Sequence, residues 1–144
     1  MKEESLIQGS IHPINMANTE TILNQMKNCI CKIKIENIKA TGFFCIIPNI
    51  NKNFLMTNYH VINEKYINKN KVLNILLNDD KEELIIDLQI KRVKYFNKEY
   101  DIALIELIEE DKIKEYLELD DYLFNNNEHI YYEKKSIYIA LYIW

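Results

Sequence analysis

The chain has 144 residues, a mass of 17.3 kDa and a formal net charge of −4. This length predicts one compact domain, or one complete unit with part of another. With 48% hydrophobic residues the chain has enough apolar material to bury a core, which excludes a disordered protein. Its only arginine is Arg92, and the acidic balance excludes the basic surface that nucleic-acid binding requires. We therefore expect no nucleic-acid partner.

Composition also bears on cofactors and location. Only two glycines occur, so the glycine-rich loops that hold nucleotide phosphates cannot be built, and we expect no cofactor. No long apolar span is present, and residues 1–5 are acidic and polar, unlike the start of an export signal. We expect a cytoplasmic protein with no membrane partner.

The three cysteines predict core positions rather than disulfides or a metal site. An odd number of cysteines in a chain without an export signal argues against disulfides. Cys29 and Cys31 lie two residues apart in an alternating run, which directs both thiols to one side of a strand. A metal site would need two further ligands, and the nearest candidate is the isolated His12. We expect reduced, buried thiols, including Cys45, and no bound metal.

The first predicted elements are an arm and a helix. Residues 1–17 show no periodicity and predict an extended arm. Asn18 or Thr19 can cap a short N-terminal helix, which leads directly into a strand. Its apolar positions at helical spacing are Ile22, Leu23, Met26 and Ile30.

Short apolar stretches then alternate with polar turns and predict five or six strands. They cover 29–35, 40–48, 54–57, 71–77, 84–93 and 101–107. Because no long helices separate them, an all-β antiparallel barrel or sandwich is favoured over a doubly wound parallel sheet.

The end of the chain predicts a boundary. Residues 109–121 could form one or two helical turns with Ile113, Tyr116 and Leu117 on one face, which would end a first unit of residues 18–121. Residues 122–135 are polar and predict a linker, and 136–144 form a new apolar strand. Natural domains usually cover such an exposed apolar strand. We therefore expect it either to pair with the barrel or to be the first strand of a further unit.

Two residues stand out as candidates for chemistry. His12 and His129 fall in the predicted arm and linker, whereas His60 lies where an apolar strand gives way to a turn. Asp101 precedes an apolar run, and a carboxylate buried there would require hydrogen-bond donors. Taken singly, each residue also fits an ordinary structural or surface position.

Three segments, taken together, resemble a known family. They are 41–44 (Thr-Gly-Phe-Phe), 55–61 (Leu-Met-Thr-Asn-Tyr-His-Val) and 101–104 (Asp-Ile-Ala-Leu). In this order they resemble the first half of trypsin-like serine peptidases of the chymotrypsin fold. They are most similar to the disulfide-free microbial members related to the HtrA proteases. The likeness covers roughly residues 27–142.

The resemblance implies a fold, an activity and catalytic roles. It implies a six-stranded antiparallel barrel of the chymotrypsin type as a first lobe, with 136–144 as the first strand of a second lobe. His60 would be the general base, and Asp101 would hold its tautomer and stabilise the imidazolium. Thr57 and Asn58 would support the histidine turn, and Gly42 would allow close packing. The substrate would be a peptide or protein.

The sequence departs from the family at the nucleophile. The family carries its serine downstream of the base and acid, in a glycine-rich turn that also supplies the oxyanion donors. Here Ser5 and Ser10 precede His60, and Ser136 has no glycine near it. The cysteines also precede His60. We therefore expect the chain alone to be inactive.

Two alternatives remain open. The chain could be a non-catalytic barrel that binds a protein partner, with its last strand added to a sheet. It could also be an unrelated small β domain in which His60 and Asp101 match by chance. Substrate specificity is not set by this sequence, since the family's specificity pocket belongs to the second lobe.

Overall fold

The structure is a computed structural model, and it describes residues 15–47 and 50–119. The linker 122–135 and the strand 136–144 predicted above lie outside the described residues, as does most of the predicted arm.

The described residues form two α-helices, eight strands and one 3₁₀ turn. In chain order these are α1 (Met16–Asn28), β1 (Ile30–Ile35), β2 (Ile38–Ile47), β3 (Lys52–Thr57), α2 (Glu64–Lys69), β4 (Val72–Leu77), β5 (Glu82–Asp87), β6 (Lys94–Asn97), β7 (Ile102–Leu107), the 3₁₀ turn (Glu109–Asp111) and β8 (Leu117–Glu118).

All eight strands belong to one curled, mainly antiparallel sheet. Seven follow the order β5-β4-β1-β2-β3-β7-β6, and β8 lies parallel to the C-terminal half of β2. The two outer strands, β5 and β6, follow one another in the chain and are joined by residues 88–93. The sheet therefore forms a half-barrel. The expectation of a mainly antiparallel β fold is confirmed.

The core lies inside the curl of the sheet, because alternate residues of each strand point to the same face. Its buried members are Cys31, Ile33, Phe44, Leu55, Ile62, Leu73, Ile75, Leu77, Ile86, Leu88, Ala103, Ile105 and Leu107. Burying a side chain the size of Ile or Phe contributes about 1.5–3 kcal/mol. Residue Ile62 is notable because it comes from the turn that follows His60.

Gly42 lies where the inner faces of β1, β2 and β3 meet. A Cβ atom at this position would lie 2.9 Å from Cδ1 of both Ile33 and Leu55, and 3.2 Å from Sγ of Cys31. Ile33 and Leu55 are fully buried, so a Cβ atom here would require both side chains to move within the core. The sheet therefore packs through this point because the residue has no side chain.

Helix α1 begins earlier than predicted and contributes little to the core. Its cap is Asn15, whose side chain accepts a hydrogen bond from the Asn18 amide at 2.8 Å, so the predicted cap at Asn18 or Thr19 is wrong, as is an arm reaching residue 17. None of its residues is buried, and Leu23 is 59% exposed.

The segment predicted as one strand over 84–93 is divided. β5 ends at Asp87, whose carboxylate accepts from the Gln89 amide at 2.8 Å and turns the chain. Residues 88–93 bend, and β6 then forms as a separate strand that the sequence did not predict.

Helix α2 was also not predicted. It begins at an Asn63 cap that accepts from the Tyr66 amide.

Of the one or two helical turns predicted within 109–121, the described residues up to 119 form one 3₁₀ turn, and the short strand β8 follows it. Lys112 adopts the left-handed conformation (φ 56°), which ends the turn. Asp111 points inward and forms a buried ion pair with Arg92, with contacts of 2.8 and 3.2 Å. This pair fixes the chain after β7 against the bend before β6, so a longer helix does not form. Ile113 and Tyr116 do pack against the core.

Candidate active site

Strand pairing brings His60 and Asp101 to the same edge of the sheet. β3 and β7 are antiparallel neighbours, and Thr57 pairs with Ala103. The residues just after β3 and just before β7 therefore leave the sheet side by side. His60 follows β3 by three residues, and Asp101 immediately precedes β7.

The Asp101 carboxylate contacts His60 at two points. Oδ2 lies 2.6 Å from the ring Nδ1, and Oδ1 accepts the backbone N–H of His60 at 2.9 Å. One oxygen therefore fixes the backbone of the histidine while the other fixes its ring. With Nδ1 facing a carboxylate, the neutral imidazole carries its proton on Nδ1 and presents Nε2 as a base.

Asp101 is itself held from the histidine turn. Its backbone is left-handed (φ 52°), which is uncommon for a residue with a side chain. Its carbonyl oxygen accepts from the Tyr59 amide at 3.1 Å and from the Asn58 side chain at 3.3 Å. The Asn58 side chain also donates to the Asp101 carboxylate at 3.2 Å.

The histidine turn is anchored on both sides. The amides of Val61 and Ile62 both donate to the Asn58 carbonyl at 3.1 Å, and the fully buried Ile62 ties the turn to the core. Before the turn, the Thr57 hydroxyl donates to the Thr41 carbonyl at 2.8 Å. Because these anchors surround His60, its position is set by the fold rather than by its own side chain.

Both members of the pair are accessible to solvent, with side-chain exposures of 70% for His60 and 42% for Asp101. Solvent at this exposure screens their charge attraction, so the contact contributes mainly orientation. The pKa of Asp101 is lowered, first by the backbone N–H of His60 and then by its ring and by the Asn58 amide, against the opposing effect of desolvation. The carboxylate is therefore ionised at neutral pH.

A groove of about 440 Å³ lies beside the pair. Asn58, His60 and Val61 form one side, and the end of the β1–β2 hairpin forms the other. The hairpin residues are Ile35, Ile38, Lys39, Ala40 and Thr41. Ile38 is 68% exposed, so this groove offers an apolar surface next to the imidazole.

No activated nucleophile faces His60 among residues 15–47 and 50–119. This part of the chain contains no serine, and Ser136 lies outside it. The three cysteines are free and buried, as expected. Burial raises the pKa of Cys31 to about 12 and that of Cys45 to about 11, which keeps both as unreactive thiols. The pKa of Cys29 is also raised, first by burial and then by Glu115.

Within residues 15–47 and 50–119, no cluster of His, Cys, Asp or Glu has the arrangement of a metal site. No helix in these ranges is long and apolar enough to cross a bilayer. His12 and His129 lie outside the described residues.

Two features of the site were not recognised in the sequence. Asn58 was expected only to support the turn, yet its side chain contacts Asp101 directly. The left-handed backbone of Asp101 had no sequence signal beyond the aspartate itself, a residue type that tolerates this conformation.

Comparison with protein-family models, with curated proteins and with solved structures finds no match to this chain. The functional assignment therefore depends on the geometry of the site.

Proposed function

We propose that this chain provides the base and the acid of a trypsin-like serine endopeptidase, acting on a peptide or protein substrate. The observation that carries the proposal is the double contact of Asp101 with His60, at 2.6 Å to the ring and 2.9 Å to the backbone. An unrelated β domain with a chance pair of residues would not be expected to bring them within hydrogen-bond distance.

The geometry suits proton transfer at Nε2. With the proton held on Nδ1 by Asp101, Nε2 accepts the proton of an attacking hydroxyl, and the carboxylate stabilises the imidazolium that forms. The imidazolium then returns this proton to the leaving amine. In the described residues Nε2 has no hydrogen-bond partner, and the groove beside it leaves room for an extended peptide.

The sheet order supports the finer fold assignment, a six-stranded barrel of the chymotrypsin type. β5 and β6 are successive in the chain and lie at the two ends of the sheet order. If they are two halves of one bent strand, the sheet has six positions and closes on itself. Counted along the chain in that arrangement, His60 follows the third strand and Asp101 precedes the sixth.

No glycine and only one serine, Ser136, follow His60 in the sequence, so the glycine-rich turn that carries the nucleophile cannot be built and the chain by itself is proposed to be inactive. Removing the oxyanion hole together with the nucleophile also removes the residual rate that single triad mutants retain.

Three buried, reduced cysteines suit a reducing compartment, which supports a cytoplasmic location.

The test compares the 144-residue chain with the longest product of its gene. A fluorophosphonate label and an unfolded protein substrate are supplied to each, with His60→Ala and Asp101→Asn as variants. We expect no labelling of the 144-residue chain, and cleavage by the longer product that falls at least about a thousandfold in each variant. Labelling of the short chain, or cleavage unaffected by His60→Ala, would contradict the proposal.

The second candidate is a non-catalytic module that binds a protein partner. The apolar groove beside His60, with Ile38 exposed on its rim, is the observation that favours it. Under this alternative Ile38→Lys would abolish binding of an extended peptide, whereas Asp101→Asn, which does not line the groove, would leave it unchanged. A longer gene product that cleaves protein in a His60-dependent manner excludes this candidate.

A further inference from the structure

Asn58 makes a contact that a turn-supporting residue does not need. Its side-chain amide reaches two atoms of Asp101: the carbonyl oxygen at 3.3 Å and the carboxylate Oδ2 at 3.2 Å. Both are acceptors only, so chemistry fixes the orientation of the amide, with its NH₂ group toward Asp101. Meanwhile the support of the turn itself comes from the Asn58 backbone carbonyl.

The contacts with His60 alone leave one motion of the Asp101 carboxylate open. The contact with His60 N fixes Oδ1, but the carboxylate can still swing about this point and carry Oδ2 away from the ring. The exposed side of the pair favours such motion, because water can replace the lost contact. The Asn58 amide, a second donor on Oδ2 beside the imidazole, stops the swing.

We infer that Asn58 is a positioning residue, which holds Oδ2 of Asp101 against Nδ1 of His60 and so keeps the neutral imidazole in the form with Nε2 unprotonated. The amide achieves this by bridging the backbone and the carboxylate of Asp101, which locks the side chain to its own left-handed backbone. This inference rests on the proposed function for its purpose, but its geometry is a property of the described chain. It can therefore be measured without any peptidase activity.

Asn63 offers a matched control on the same turn. Its side-chain NH₂ group donates to the Tyr59 carbonyl at 3.4 Å, and its side-chain oxygen Oδ1 caps α2 by accepting from the Tyr66 amide. It stabilises the turn without touching Asp101. Removing it should therefore lower stability without altering the histidine ring.

The experiment follows the His60 ring by ¹⁵N-edited NMR in the full 144-residue chain, at about pH 9, where ordinary histidine is neutral. The variants are Asn58→Leu, which keeps the shape of the side chain without its donors, and Asn58→Ala. Each is compared with Asn63→Ala and with the unsubstituted chain. A dispersed amide spectrum shows that each variant is folded, and two Asn58 variants keep the test available if one fails to fold.

We expect the Nδ1-protonated form to predominate in the unsubstituted chain and in Asn63→Ala. In both Asn58 variants we expect this form to become a minority, with solvent exchange of the Nδ1 proton faster by about tenfold or more, as for loss of a hydrogen bond to a charged group. Folded Asn58 variants that keep the Nδ1 proton and its slow exchange would overturn the inference while leaving the proposed function intact. An unsubstituted chain without Nδ1 protonation would overturn both.

Discussion

Asp101 holds His60 through both carboxylate oxygens, one on the backbone amide and one on the imidazole Nδ1. The aspartate leads strand β7 and the histidine follows strand β3, so the pairing of these two strands sets the distance between them. The ring cannot turn without breaking the shorter contact. The sheet therefore orients the imidazole, although both side chains are open to solvent.

The lowered pKa of Asp101 predicts a loss of stability in acid. The folded-state pKa lies below that of the unfolded chain, about 3.9, so the unfolded chain binds more protons in this range. The contribution of Asp101 is therefore complete above the unfolded value and is lost as the pH falls through the folded one. Urea unfolding between about pH 7 and pH 3 should show a smaller acid loss in Asp101→Asn than in the unsubstituted chain. The exposed Glu99→Gln serves as control, and an equal acid loss in Asp101→Asn would contradict the assignment.

Gly42→Ala tests the close packing of β1, β2 and β3. The added Cβ would lie 2.9 Å from the side chains of Ile33 and Leu55, both fully buried, so both must shift. We expect a loss of about 1–3 kcal/mol in the free energy of unfolding, typical of overpacking. Thr41→Ala, an exposed position on the same strand, should cost much less. Equal stability of Gly42→Ala and the unsubstituted chain would show that the side chains around Gly42 leave room for a methyl group.

Arg92→Ala should be among the most destabilising single substitutions. The Arg92 guanidinium donates to the Glu106 carbonyl and to Asp111, whose carboxylate also accepts the Ile108 amide. Removing the arginine leaves a buried carboxylate without its partner, which costs about 3–5 kcal/mol. Chemical denaturation measures this cost. The exposed pair of Lys34 and Glu83 provides the control, since Lys34→Ala should cost less than about 1 kcal/mol.

The cysteine thiols should be protected in the folded chain. Burial raises the pKa values of Cys31 and Cys45, so almost no thiolate forms near neutral pH. A thiol-reactive dye at about pH 8 should modify them only as fast as the chain opens, and immediately in denaturant. A Glu99→Cys reporter on the exposed surface supplies the unprotected rate. Rapid native labelling of Cys31 would contradict its buried position.

Much of the sheet was predictable because its strands are short, apolar and separated by polar turns. The positions of β1, β2, β3, β4 and β7 follow this pattern within a few residues. The proximity of His60 and Asp101 was anticipated from residues at two strand ends, on the basis of a family resemblance. The distances between the two residues depend on how β3 pairs with β7, and no short stretch of sequence predicts that pairing.

The elements that were missed depend on side chains far apart in the sequence. The bend before β6 and the short 3₁₀ turn are both fixed by the Arg92–Asp111 pair, and a charged segment over 109–121 gives no sign that one of its acids is buried. Helix α2 has six residues, too few for periodicity, and begins at a local asparagine cap. Asn58 was predicted to support the histidine turn. Its contact with Asp101 was not predicted, because that contact depends on the left-handed backbone of Asp101.

The most direct test of the central claim is the protonation of the His60 ring in the unsubstituted chain and in Asp101→Asn, measured by ¹⁵N-edited NMR. We predict that neutral His60 carries its proton on Nδ1, with that proton shifted far downfield by the carboxylate, and that both features disappear in Asp101→Asn. A neutral ring protonated on Nε2, or a ring unchanged by the Asp101 substitution, would show that Asp101 does not direct His60 as a base.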